Sequence, residues 1–181
     1  SKSRFPRVKA ALLRSGESED LLQSNSGFLF PAALGAGDAP HMPTPPAPPV
    51  LTPHQQFLND LWEEHVRDEF ATKDTSATLD TMVPDAYVNH IPVLTGGVGR
   101  EALQEFYSRH FIPKMPPDTE IVPVSRTIGT DRLVDEMIFR FTHTVEMDWM
   151  LPGIPPTGRR VECPLVAIVQ FRDGKLAHEH I

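Results

Sequence analysis

The sequence predicts an α+β domain, with helices first and then a run of long strands whose antiparallel sheet the helices cover on one face. Three observations carry this. Apolar residues recur at helical spacing in "PHQQFLNDLWEEHVRDEFATKD", at Phe57, Leu58, Leu61, Trp62 and Phe70, with acids between them. From residue 119 onward the spacing changes to alternation, as in "RLVDEMIFRFTHTVEMDWM". The tetrapeptide "RDGK" then supplies an Asp-Gly pair, which tolerates the positive φ angles of a tight hairpin.

Residues 1–53 read differently and are expected to form a disordered Pro-rich tail and linker, with the folded domain over 54–181. Eight prolines fall between Pro31 and Pro53. Proline fixes φ and removes a backbone donor, so this stretch favours extended polyproline conformations. Its "PPAPP" run is a spacer or a docking strip for an aromatic groove. The first sixteen residues are basic and acid-free, which fits either a transit peptide or a plain extension. A cytoplasmic location is expected, with the mitochondrion as the alternative.

In the domain, Thr52 caps the first helix and Pro53 sits in its first turn. "TSATLDTMV" predicts a short second helix ending before Pro84, and "AYVNHI" a short strand. "TGGVG" reads as a glycine-rich turn before the amphipathic helix "REALQEFYSRHFIP", halted at Pro113. "TEIVPVSRTIG" and "RRVECPLVAIVQFRDGKLAHEHI" supply the remaining strands.

Alternation assigns the faces. From Leu133 the odd positions are mostly apolar and include Asp135, Phe141, His143 and Trp149, so this row faces the helices. Asp135, near the strand start, is expected to reach solvent; Glu146 and Asp148 face the other way. Val161 to Phe171 repeat the pattern, with Cys163 as a small core residue. In the last strand, placing Leu176 inward carries His178 and His180 inward too and turns Glu179 outward. A one-residue slip of register would reverse that assignment.

Charge and composition exclude several functions. Net charge is −7, and the residues after 50 hold twelve Lys/Arg against twenty Asp/Glu, a balance that repels nucleic-acid backbones. No run approaches the roughly 20 apolar residues of a membrane span. A single cysteine rules out an internal disulfide and a Cys-rich metal site. "TGGVG" lacks phosphate-loop spacing. No cofactor and no metal is expected, although His178-x-His180 with a third ligand from Glu146, Glu179 or His143 would be the metal alternative.

What remains is an apolar hollow with a few titratable groups. His143, His178 and His90 are the candidate proton carriers, because a buried imidazole is neutral and can accept or pass a proton near pH 7. Tyr107 is a candidate donor to a substrate oxygen, or a packed helix residue. Trp149, Phe141 and His180 are candidate substrate contacts. Such a hollow suits a hydrophobic small molecule.

The stretches "YVNHIP", "GGVGREALQEFY", "MPPDTEI" and above all "GIPPTGRRVECPLVAIVQFRDGKLAHEH" resemble the SnoaL-like polyketide cyclases, within the nuclear transport factor 2-like and ketosteroid isomerase-like superfamily. The resemblance covers about residues 54–181. It implies a cone-shaped, cystatin-like α+β barrel with a pocket at its wide end and a homodimer formed through the outer sheet face. It also implies cofactor-free acid/base chemistry on a carbonyl compound, either aldol-type cyclisation or isomerisation. The alternative is a non-catalytic ligand-binding or dimerisation module of the same fold. His90 matches the family's pocket histidine by position. The family's acid/base aspartate would fall beyond Ile181, which implies a C-terminally truncated copy, an absent activity, or histidines that take over its role.

Overall fold

The computed structural model describes residues 50–181; the expected tail up to residue 49, with its transit-peptide and "PPAPP" readings, lies outside the described residues. Helix α1 spans Pro53–Arg67. Thr52 Oγ1 accepts from the Gln55 N–H, and the Gln55 side chain returns a bond to the Thr52 N–H, closing a capping box. The helix then loosens into a π turn, Asp68–Thr72. Helix α2, Thr75–Asp80, is capped by Asp74. Strand β1 spans Met82–His90 and β2 Thr95–Val98. Helix α3, Arg100–Glu105, likewise runs into a π turn, Phe106–Phe111. The remaining strands are β3 (Glu120–Ile128), β4 (Arg132–Thr142), β5 (Arg160–Arg172) and β6 (Lys175–His180).

The strands form one curved six-stranded sheet in the order β2-β1-β6-β5-β4-β3. Neighbours are antiparallel except β1 and β6, which run parallel, so the sheet is mixed. The parallel pair arises because β6 reaches β1 across the whole domain and not through a hairpin. The "TGGVG" stretch, expected as a turn, is largely strand β2. Gly96 makes this pairing close: with φ at 136°, a Cβ there would sit 2.0 Å from the Val88 carbonyl oxygen.

The odd positions of β4 are buried from Leu133 to Phe141, and the row continues through His143, Met147 and Trp149. Two face assignments need correction. Asp135 is buried, because Arg126 grips both its oxygens at 3.1 and 2.7 Å and Trp62 Nε1 donates to it at 2.8 Å. In β6 the alternation breaks at a bulge opposite Gln170 and Phe171. Leu176 and Ala177 are both buried, and thereafter Glu179 points inward while His178 and His180 turn to the other face.

Candidate functional site

The α1 face that packs on the sheet carries Leu58, Trp62 and His65, and one turn later Glu69. This stripe changes from apolar to titratable as it enters the π turn. Tyr107 lies in the second π turn, so both helices that reach the site widen where they meet it. Glu179 comes from β6, opposite them. His65 Nε2 lies 3.1 Å from Glu179 Oε1 and 3.2 Å from Glu69 Oε1. The Tyr107 hydroxyl donates to Glu179 Oε1 at 3.4 Å.

The protonation of His65 follows from its other nitrogen. Thr81 Oγ1 gives its one proton to the Thr78 carbonyl at 2.6 Å, so it can only accept from His65 Nδ1–H, also at 2.6 Å. Nε2 therefore needs a proton of its own to meet two carboxylates. Burial works against that charge, but Glu179 and Glu69, by charge and hydrogen bond, outweigh it and hold the pKa up to about 10. The indole of Trp62 stacks on the ring at 5.6 Å and 15°, adding a π face to the imidazolium. Burial raises the Glu69 carboxyl above its ordinary range, with His65 opposing. Burial and then the charges of Glu179 and Glu69 push the Tyr107 phenol well up, so it stays a donor. The ligand atoms of His65, Glu69 and Glu179 lie within 4.8 Å of one another, so this trio is also the place where a metal ion could be held.

Beside this network lies a cluster of rings. His90, at the end of β1, is 5% exposed and sits 5.0 Å from Trp149, 5.6 Å from Phe106 and 6.0 Å from Phe111 between ring centroids. Neither His90 nitrogen has a hydrogen-bond partner, and neither has Trp149 Nε1. Burial lowers the His90 pKa to about 4, with the Glu179 charge opposing. Tyr107 joins the two groups, packing on Phe106 at 5.4 Å and Phe111 at 5.7 Å.

His90, Tyr107 and Trp149 thus come together in the interior. His143 is buried one step away, its Nδ1 3.2 Å from Thr157 Oγ1, with Phe141 6.4 Å from its ring. His178 and His180 do not join them. They stack with Tyr87 on the opposite sheet face, at 4.8 and 5.5 Å, where Tyr87 and His178 line a surface cleft of about 540 Å³. The interior where a hollow was expected is occupied by rings, Phe111 and Trp149 being 4.7 Å apart. The sequence reading passed over His65 and Glu69, although their place in the α1 stripe was visible. It turned Glu179 outward because nothing in a short alternating run announces a bulge.

Residues 62–179 match the SnoaL-like domain family. No curated protein sequence matches this chain. Among solved structures, the fold is similar to a protein assigned as a SnoaL-like polyketide cyclase from Jannaschia sp. CCS1, at 20% identity and TM-score 0.56, covering 74% of this chain and 89% of that one. It is also similar to an NTF2-like protein of unknown function from Burkholderia pseudomallei K96243, at 15% identity and TM-score 0.53, covering 68% and 88%. A third is SalBIII, described as an epoxide hydrolase/cyclase-like enzyme in pyran ring formation of the polyether salinomycin, at 15% identity and TM-score 0.53, covering 70% and 89%.

Proposed function

We propose that this chain, which belongs to the SnoaL-like domain family, is an acid/base enzyme acting on a hydrophobic carbonyl compound, by aldol-type cyclisation or isomerisation. The observation that carries this reading is that two unlike groups share one interior, near enough for the charge of one to act on the other. A charged, hydrogen-bonded network ends on the Glu179 carboxylate, beside a neutral imidazole, His90, that has nothing to bond. A carboxylate that can accept a proton and an imidazole N–H that can donate a hydrogen bond suit separate base and donor roles.

In the proposed reaction Glu179 takes a proton from the carbon next to a carbonyl. Tyr107 O–H and an N–H of His90 donate to the oxygen as it gains charge. His65, held as an imidazolium, keeps Glu179 in place through its Nε2–H at 3.1 Å. The enolate carbon then attacks a second carbonyl of the same molecule, and the new alkoxide takes the proton back from Glu179. In the isomerisation variant, Glu179 returns the proton to a different carbon. His143 bonds to Thr157 through Nδ1, has no hydrogen bond to these groups, and takes no part in the transfer. His178 and His180 take no part, because they face away from the network.

The test is exchange of the α-protons of β-tetralone in D₂O, followed by NMR. The wild-type protein should exceed buffer catalysis at least 100-fold, and Glu179→Gln should return it to background. Exchange no faster than buffer would sink the reading. A second reading, a ligand-binding or dimerisation module, is favoured by the ring-filled interior. Binding of a hydrophobic ligand without exchange would establish it. The outer sheet face carries exposed Val134 and Val166, which supports a homodimer through that face. Sedimentation of wild-type and Val166→Glu protein would check it.

A further inference from the structure

Among the described residues, the buried side-chain polar atoms without a partner are His90 Nδ1 and Nε2, His143 Nε2, Asp148 Oδ1 and Trp149 Nε1. They lie on, or in the case of His90 against, one segment. His143, Asp148 and Trp149 belong to the segment between β4 and β5, and His90 is the ring that Trp149 covers. Native interiors leave few such atoms unpaired, so their concentration under one segment marks an arrangement that is costly when closed.

The segment is closed on itself at its base. Its two ends are tied at His143, whose N–H donates to the Arg159 carbonyl at 2.9 Å and whose carbonyl accepts from the Gly158 N–H at 2.9 Å. Gly158 and Gly153 both have positive φ, at 67° and 80°, and no atom lies within 4 Å of where a side chain would be. Residues 152–160 are exposed, whereas Met147 and Trp149 are buried. Across the top the polar fastenings are few, and the rest of the hold is apolar, from Met147 and Trp149 with Val145, Met150 and Leu151 beside them. Thr95 Oγ1 donates to the Trp149 carbonyl, His110 meets Asp148 at 2.8 Å, and Lys114 meets Glu146 at 3.3 Å. The ion-pair partners are all at least a third exposed on one side, so water can compete for them.

We infer that the segment Thr144–Thr157 is a lid and that Trp149 is a displaceable plug. On opening, a planar fused-ring ligand takes the place of the indole against Phe106 and Phe111. A hydroxyl or carbonyl on the ligand's edge pairs with His90, which the indole leaves unsatisfied. The inference rests on the interior acid/base reading for the identity of the site. It adds that the site is closed by the chain's own side chain until a ligand of that shape competes for it. Because part of any ligand's binding energy goes into displacing the plug, removing the indole should tighten binding.

The experiment uses protein labelled with fluorotryptophan, which gives separate fluorine signals for Trp62 and Trp149, assigned by their loss in Trp149→Phe. In the free protein both signals should be insensitive to exchanging H₂O for D₂O. Saturating 2-naphthol should give the Trp149 signal a solvent isotope shift close to that of the free amino acid and leave Trp62 unchanged. Trp149→Ala should bind 2-naphthol at least tenfold more tightly than wild type, with His90→Leu in that background reversing the gain. A Trp149 signal that stays shielded while naphthol binds would overturn the lid, and so would absence of binding to both proteins. Proton exchange from β-tetralone with a motionless Trp149 would remove the lid and leave the enzyme. A moving Trp149 without exchange would do the reverse.

Discussion

Two neighbouring groups in this interior are equally buried and oppositely finished. Around His65 each polar atom has found a partner: Thr81 on one nitrogen, Glu179 and Glu69 on the other. Around His90, a few side chains away, none has. The contrast separates two uses of a histidine. The first is a fixed charge whose removal leaves its partners stranded. The second is a neutral group with no close partner, whose removal strands no charge. Burial alone does not distinguish them; the count of partners does.

The largest effect should come from breaking the paired group. His65→Leu leaves two buried carboxylates facing each other, and loss of one member of a buried ion pair costs about 3–5 kcal/mol. Urea unfolding of the variant should show a loss of that size, and an unchanged midpoint would mean the network contributes no stability. His90→Leu is the sharp counterpart. It should leave the midpoint within about 1 kcal/mol of wild type or raise it, since an unpaired buried group is being removed. It should nevertheless slow β-tetralone exchange at least tenfold.

The two histidines should also shape the pH profile of stability in opposite senses. The His65 pKa is raised to about 10 from its ordinary 6.5, so its contribution is whole below pH 6.5 and is lost as pH rises toward 10. The His90 pKa is lowered to about 4, so the unfolded chain binds the proton first. Stability should then fall as pH drops from 6.5 to 4, by roughly 3 kcal/mol at about 1.4 kcal/mol per pH unit. Denaturation midpoints across this range check both limbs. His65→Leu should flatten the alkaline limb and His90→Leu the acid one; a variant that flattens the wrong limb breaks the comparison.

Smaller effects test the surroundings. Asp135→Asn weakens the grip on Arg126 and Trp62 and should cost about 1–3 kcal/mol. It should also change the His65 ring signals in NMR, because Trp62 stacks on that ring. His178→Ala and His180→Ala, on the far sheet face, should each stay within about 1 kcal/mol and leave exchange untouched.

The sequence made the helices, the long strands and the inward row of β4 legible, because period and alternation extend over enough residues to be unambiguous. His143 and Trp149 could be singled out for the same reason, as members of that row, whereas His90 was picked out by its likeness to the family's pocket histidine and Tyr107 by its hydroxyl alone. The reading faltered where a local irregularity decided the outcome. A bulge in six residues of β6 exchanged Glu179 for His178 and His180 on the inner face. Asp135 was read as solvated because its partners, Arg126 and Trp62, lie on other elements of the chain. His65 and Glu69 were visible as positions on a stripe, but their meaning required Glu179 to arrive from more than a hundred residues away.

The position of β6 has a consequence for how the domain is assembled. Strand β6, the last of the described strands, lies in the middle of the sheet and joins the β1–β2 pair to the β3–β5 group. Until Lys175–His180 has left the ribosome, neither half has its inner neighbour, and each offers an unpaired backbone edge to whatever is near. Zippering must therefore wait for β6 and then close over long sequence distances, which favours slow maturation and a need for chaperone shelter during synthesis.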